Sequence, residues 1–318
     1  MSRGVGVLTV VTHEAFYVHR FTQFADQLRN TTPGVNPHVA TTNANVLTRA
    51  LAATVGRPRH GSLLWSVEAY HDRTKDADVV RILQMLLPCP EEEEWLRERL
   101  RYKLMKLHHI ARSPFEYTIF MDWDIFICTS IMPLFAALGG GQFHIAAAPT
   151  FQAGLHVVAK GNVLARLIIH SANVTHRFHT SGTTMNDTWN SGLLLYDNQS
   201  LVQRLVISKW EGAFLEDVEH EVHKFGCEQL HETRHHIMDQ PALKTLLEAA
   251  IPQGVRFGSL DGRWNQRYYQ CVHPNGSVGQ VYKLGTSPRE EECLAVPKPF
   301  IYHGRNANAS HCSRPRAE

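Results

Sequence analysis

The sequence predicts an α/β fold, a mostly parallel central sheet flanked by helices in one large domain. Three observations predict it. Short β-branched runs alternate with segments of helical spacing through the first half of the chain. The strongest helix is punctuated at both ends. No internal repeat, low-complexity tract or clean linker divides the 318 residues. The composition, 43% hydrophobic and 19% charged, is that of an ordinary folded globular chain. A net charge of +2 points neither to nucleic acid nor to an acidic membrane surface. No run reaches the ~20 apolar residues of a membrane span. The opening MSRGVGVLTVV has no signal-peptide core or cleavage site and reads as a first strand.

That strand is GVGVLTVVT (4–12), β-branched and apolar as buried parallel strands are. FYVHRFTQFADQLRN follows, with Phe16, Phe21, Phe24 and Leu28 at helical spacing. HVATTN and SLLWSVEAY (62–70) are further strands. The next helix starts at Pro90, which suits a first helical position. Glu91 to Glu94 complement the positive end of its dipole, and Lys106, His108, His109 and Arg112 the negative end. Leu96, Leu100, Leu104, Leu107 and Ala111 form its buried stripe. YTIFM, FHIAAAPT (143–150), GLHVVAK (154–160) and SGLLLYD (191–197) continue the strand series. Asn198 or Ser200 caps a helix with Leu201, Leu205 and Trp210 inward. QPALKTLLEAA is a short helix, VRFGSL a strand, and KPFIYHG the last strand. Residues 161–190, rich in Gly, Thr, Asn and His, read as a long loop.

The cysteines Cys89, Cys128, Cys227, Cys271, Cys293 and Cys312 show no CxxC pairing or zinc spacing. Cys128, in an apolar run, is expected to be a buried thiol, and the three near the C-terminus leave room for a disulfide. The twenty histidines are scattered, and as a class they read as surface or satisfied core residues. Six N-x-S/T sequons, at Asn30, Asn173, Asn186, Asn198, Asn275 and Asn308, exceed the roughly one or two that thirteen Asn would give by chance. The excess suggests a secretory lumen, with an anchor lying before this chain. Without such an anchor the expectation is cytosolic.

The chemistry is concentrated in FEYTIFMDWDIFI (115–127). Two carboxylates, Asp122 and Asp124, end a run that otherwise reads as buried strand. Alternate residues of extended chain face one way, so both can meet at one spot. Burying a carboxylate without a partner costs several kcal/mol, and no Lys or Arg is adjacent in sequence. Ligands of open α/β sheets bind beyond the carboxyl ends of the strands. Hard oxygen donors there suit Mg²⁺ or Mn²⁺, which bridge carboxylates and substrate phosphates.

This element resembles the strand-then-DxD segment of nucleotide-sugar glycosyltransferases of the GT-A (Rossmann-like) type. The resemblance extends in order through TWNSGLLLYDN (188–198), IMDQPALKTLL (237–247), WNQRY (264–268) and PFIYHGR (299–305). The nearest likeness is to the retaining group that includes glycogenin and the lipopolysaccharide galactosyltransferases. It implies one GT-A-like domain over 1–318, with a nucleotide-binding half (1–130) and an acceptor and sugar half (131–318). It implies a hexosyl- or pentosyltransferase using Mn²⁺ or Mg²⁺, a nucleoside-diphosphate sugar donor, most simply UDP-linked, and a hydroxyl acceptor on a glycan, glycoprotein or glycolipid.

Residue by residue, the resemblance implies that Asp122 contacts ribose and metal and that Asp124 and His303 ligate the metal. Thr12 and Tyr17 would meet the nucleoside, and Lys103 would face the donor. Asn190, Asp239 and Gln240 would line the sugar and the reacting centre. The chain departs from the retaining pattern in lacking a terminal His-x-x-Gly-x-x-Lys, so Arg305 is assigned to the diphosphate. Trp123 replaces the small residue usual between the two acids. Asp239 also reads as a helix cap before Pro241. Residues 161–190 and 211–236 are expected to form acceptor loops. Two other readings of the acidic pair are a haloacid-dehalogenase-like phosphatase and a sugar-nucleotide-binding pseudoenzyme. The first usually carries its motif near the N-terminus and Thr or Val where Phe126 stands.

Overall fold

A computed structural model describes residues 4–12, 15–55, 65–70, 72–149, 189–233, 237–260, 264, 268–272, 278–283 and 301–303. Strand β1 (Val5–Val11) leads into helix α1 (Ala15–Thr31), then β2 (Asn36–Thr41), α2 (Ala44–Val55) and β3 (Ser66–Ala69). Two helices follow, α3 (Ala77–Gln84) and α4 (Pro90–Ala111), before β4 (Tyr117–Met121), β5 (Ile125–Ile127), α5 (Met132–Gly139) and β6 (Ile145–Pro149). After β7 (Trp189–Asp197) come a π-helical turn (Gln203–Ile207), α6 (Ser208–Thr233), α7 (Asp239–Ala250) and β8 (Phe257–Ser259). The strands β9 (Tyr268–Val272) and β10 (Val278–Lys283) pair with each other, and β11 is Ile301–His303.

The main sheet has seven strands in the order β3-β2-β1-β4-β7-β6-β8. All neighbours are parallel except at β7, which runs against both β4 and β6. The expected mostly parallel sheet is therefore present. Alternate residues of its strands enter two separate cores, as the pleat requires. Leu8, Val10, Phe120 and Leu194 pack under α3, α4, α6 and α7. Val7, Val11, Ile119, Met121 and Leu193 pack under α1, α2 and α5. Helices thus cover both faces.

Pro90 is in the first turn of α4 and Leu96, Leu100, Leu104 and Leu107 are buried, as their spacing predicts. Ser200, rather than Asn198, caps the next helix, its hydroxyl accepting from the Val202 amide at 3.3 Å. The Asn198 amide donates instead to the Phe115 carbonyl at 2.6 Å. The expected acceptor loop 211–236 is not a loop: residues 208–233 are α6. Trp210, Phe214, Val218 and Val222 recur there every four residues and are buried, a helical period that decides the matter. That helix is broken at Gly226, with φ 57° and ψ −164°, a conformation open essentially to glycine alone.

Beside the break, Cys227 forms a disulfide with Cys89 at the start of α4. Cys128 is also disulfide-bonded and half-buried, which corrects the expected buried thiol. Among the described residues no cysteine is free and no helix is long and apolar enough to cross a membrane. The predicted strand at 154–160, the loop over 161–188, Cys293, Cys312 and the sequons at Asn173, Asn186, Asn275 and Asn308 lie outside the described residues.

Candidate active site

β4 ends at Met121, and the backbone continues into Asp122-Trp123-Asp124 at the carboxyl end of the parallel strands. Asp122 and Asp124 are half-buried while Trp123 between them is buried in the α1/α2 core. The bulky middle residue turns inward, and the charges of Asp122 and Asp124 both act on the Tyr102 phenol. Short β5 follows, and β11 pairs antiparallel to it, placing the backbone of His303 opposite Ile125, next to Asp124. The tail strand thereby closes on the acidic pair across 178 residues of sequence. The His303 and Tyr17 side chains and all of Arg305 lie outside what is described. Thr12, half-buried, follows directly on the last residue of β1 at the same edge.

β7 enters this edge from the opposite direction. Between Asn190, paired to Ala148, and Leu194, paired to Ala147, it bulges out of register with β6 while staying bonded to β4. Bulges re-aim side chains, and this one carries Ser191 and Gly192. The Gly192 carbonyl accepts from the Asp122 amide at 2.8 Å, locking the acidic turn to the bulge. Asn190 is buried; its Oδ1 accepts from the Gly192 amide at 2.7 Å, and its Nδ2 has no partner among the described residues. Gln240, half-buried, is the second residue of α7.

The third wall is α4. Arg99, Tyr102, Lys103 and Lys106, spaced to share one helix face, all reach this region. The Lys106 ammonium, 1% exposed, lies 3.3 Å from Asp122 Oδ1 and 3.3 Å from Asp239 Oδ2, and donates to Ser191 Oγ at 2.9 Å. Lys103 donates to Asp239 Oδ1, and the Ser191 hydroxyl to Asp239 Oδ2 at 2.7 Å. Tyr102 Oη is 3.4 Å from Asp122 Oδ1. Arg99 Nε donates to the Ile237 carbonyl at 2.7 Å, steadying the entry to α7, and Trp210 Nε1 donates to the Asp239 carbonyl at 2.7 Å.

The electrostatics follow from that wiring. Burial would raise the Asp239 carboxyl, but the charges of Lys103 and Lys106 and their hydrogen bonds, with that of Ser191, hold it far below the usual carboxylate range. Burial would lower the Lys106 ammonium, but Asp122 and Asp239 outweigh it and raise it. For Lys103 burial wins, and its ammonium is lowered in spite of Asp239. Burial, then the nearby carboxylates, pushes the Tyr102 phenol well up, so it stays a neutral donor toward Asp122.

Several sequence expectations meet here. Asp122, Asp124, Asn190, Asp239, Lys103 and the backbone of His303 belong to one edge of the sheet. Asp239 begins α7 rather than capping it: the cap position is Met238, and the Asp239 carboxylate is committed to the lysines. Sequence reading missed Lys106, Ser191 and Tyr102. Lys106 looked like a cation at a helix end, yet it is buried and sits on Asp122, which therefore has a cationic neighbour after all. The usable signal was a lysine within the apolar stripe, between Leu104 and Leu107.

No protein-family model matches the chain, and no curated protein does. Solved structures match more distantly. Mouse xyloside xylosyltransferase 1 in its apo form aligns at 14% identity and a TM-score of 0.48, over 95% of this chain and 98% of its own. The galactosyltransferase LgtC, in complex with donor and acceptor sugar analogues, aligns at 14% identity and 0.44, over 94% and 86%. The glycosyltransferase GlyE of Streptococcus pneumoniae aligns at 12% and 0.38, over 94% and 54%. Likeness at this level leaves the functional reading to the residues of the site.

Proposed function

We propose that the chain is a metal-dependent glycosyltransferase. It moves a sugar from a nucleoside-diphosphate sugar, with uridine as the nucleoside, to a hydroxyl of a glycan, glycoprotein or glycolipid, with retention of configuration. Residues 1–130 would supply most of the nucleotide half and 131–318 the sugar and acceptor half. The observation that carries this reading is the acidic pair at the carboxyl end of β4, met by a tail strand that sets His303 beside Asp124.

The donor set fits a hard divalent ion. Asp122 and Asp124 offer half-buried carboxylate oxygens, and one Asp122 oxygen is already held by Lys106 and Tyr102, which fixes the orientation of the group. Asp122, Asp124 and His303 would hold Mn²⁺ or Mg²⁺. When bound, the ion supplies charge stabilisation to the departing diphosphate. Thr12 and Tyr17 would meet the nucleoside, and Arg305 the diphosphate.

The buried Nδ2 donor of Asn190, without a partner among the described residues, is a group that a sugar hydroxyl would satisfy, with Gln240 nearby in α7. Asp239 is a poor general base: pinned by two lysines and a hydroxyl, it binds protons too weakly to remove one from an acceptor. It holds Lys103 and Lys106 in place instead. That disfavours an inverting route with Asp239 as base, and supports a retaining one in which the leaving phosphate takes the acceptor proton.

The test is release of nucleoside diphosphate from a panel of sugar nucleotides with Mn²⁺, alongside Asp124→Ala. We expect metal-dependent release that falls at least 100-fold in the variant, with an unchanged urea midpoint. NMR of the product should find the anomeric configuration retained. Wild-type rates in Asp124→Ala at saturating donor and metal would overturn the site assignment. An inverted product would overturn retention.

A further inference from the structure

We propose that His38, Glu68 and His109 form a second, separate metal site of the zinc class, which clips the edge of the sheet to α4. His38 lies in β2, Glu68 in β3 and His109 in the last turn of α4. His38 Nε2 is 3.2 Å from Glu68 Oε2, and His109 Nδ1 is 3.7 Å from the same oxygen. One ligand atom from each of the three residues lies within 4.8 Å of the others. Tetrahedral bonds of about 2.0–2.1 Å place ligand atoms about 3.3–3.4 Å apart, which the two separations from Glu68 Oε2 bracket, and the trio would draw together around an ion from within 4.8 Å.

The His109 ring presents its Nδ1 to this Glu68 oxygen from a buried position. It is 4% exposed, and 3.7 Å is too far for a hydrogen bond from Nδ1 to Glu68. Its Nε2, like His38 Nδ1, is buried with no partner among the described residues. The Glu68 side chain, 56% exposed, opens the site to solvent and leaves room for water as a fourth ligand.

Two imidazoles and one carboxylate favour Zn²⁺, Co²⁺ or Ni²⁺ over Mg²⁺ and Mn²⁺, the reverse of the oxygen-rich Asp122–Asp124 pair. The inference therefore stands apart from the proposed sugar transfer. Since neither imidazole has a partner on its outer nitrogen among the described residues, affinity in the micromolar rather than the nanomolar range is expected.

The experiment uses the full chain stripped with EDTA and titrated with Co²⁺, read by its visible absorption, and with Zn²⁺, read by thermal melting. Wild type and Asp124→Asn should both take one Co²⁺ with a tetrahedral spectrum and melt higher with Zn²⁺. His109→Gln and Glu68→Ala should lose the spectrum and at least 10-fold in affinity. Glu68 is exposed, so its variant keeps the fold. No cobalt spectrum in wild type, or equal affinity in Glu68→Ala, would overturn the proposal.

Discussion

Replacing Asp239 by Asn keeps the side chain's shape and removes the charge that half-buried Lys103 and buried Lys106 share. Lys103 then keeps an ammonium whose partner is an amide, and the amide nitrogen is one more donor among donors. Breaking a buried ion pair from one side costs about 3–5 kcal/mol. The cost has a ceiling, because Lys103 can release its proton. Doing so at pH 7, three and a half pH units below its ordinary 10.5, costs about 5 kcal/mol at about 1.4 kcal/mol per unit. At pH 9 the same escape costs only about 2 kcal/mol. As pH rises toward 9 that release becomes the cheaper course, leaving Lys103 neutral when folded and protonated when unfolded, so the unfolded state binds more protons and stability rises with pH. The deficit against wild type should therefore be about 3–5 kcal/mol at pH 7 and about 2 kcal/mol at pH 9. Urea unfolding followed by tryptophan fluorescence at both pH values measures it, with the denaturant slope confirming a comparable unfolded state. A deficit below about 1 kcal/mol at pH 7, or one that does not change with pH, would refute the buried-pair reasoning.

Lys106→Met should cost about 3–5 kcal/mol by leaving Asp122 and Asp239 short of a cation. The double variant with Asp239→Asn should cost less than the sum of the two by about 1 kcal/mol or more, since the residues share one network; additive losses would dissociate them. Acid should weaken the EDTA-treated protein. Burial lowers His109 to about 4 from 6.5, so the unfolded chain takes up a proton there first, and stability falls as pH drops from about 6.5 toward 4. The loss should be about 2–3 kcal/mol, and His109→Gln should flatten that limb of the urea midpoint against pH. Cys89→Ser with Cys227→Ser opens a loop of 138 residues. In the chain-entropy account this lowers unfolding free energy by up to about 5 kcal/mol; an unchanged urea midpoint would mean the bridge constrains little.

Local chemistry was legible. The short apolar runs became β1, β2, β4 and β7, and Pro90 with its leucine stripe became α4. FEYTIFMDWDIFI marked Asp122 and Asp124 as the end of a buried strand, although they stand in a turn between β4 and β5 rather than in extended chain, with Trp123 filling core. The misreadings came where composition stood in for periodicity. Residues 211–233 carry enough polar side chains to look like loop, yet their apolar positions recur every four residues. Cys128 looked buried because its neighbours are apolar, although the half-exposed thiol is oxidised.

The sequence by itself determined where several strands lie along the chain, the period of α4 and the placing of two acids at a strand end, because each depends on residues within a few positions of one another. Tertiary structure alone decided who faces them. Lys103 meets Asp239 across 136 residues, Lys106 meets Ser191 across 85, and β11 returns to β5 from the far end of the chain. A helix face states its own spacing but not which strand end it will cover. Partners for buried charge are settled only when the sheet closes and removes water from between them.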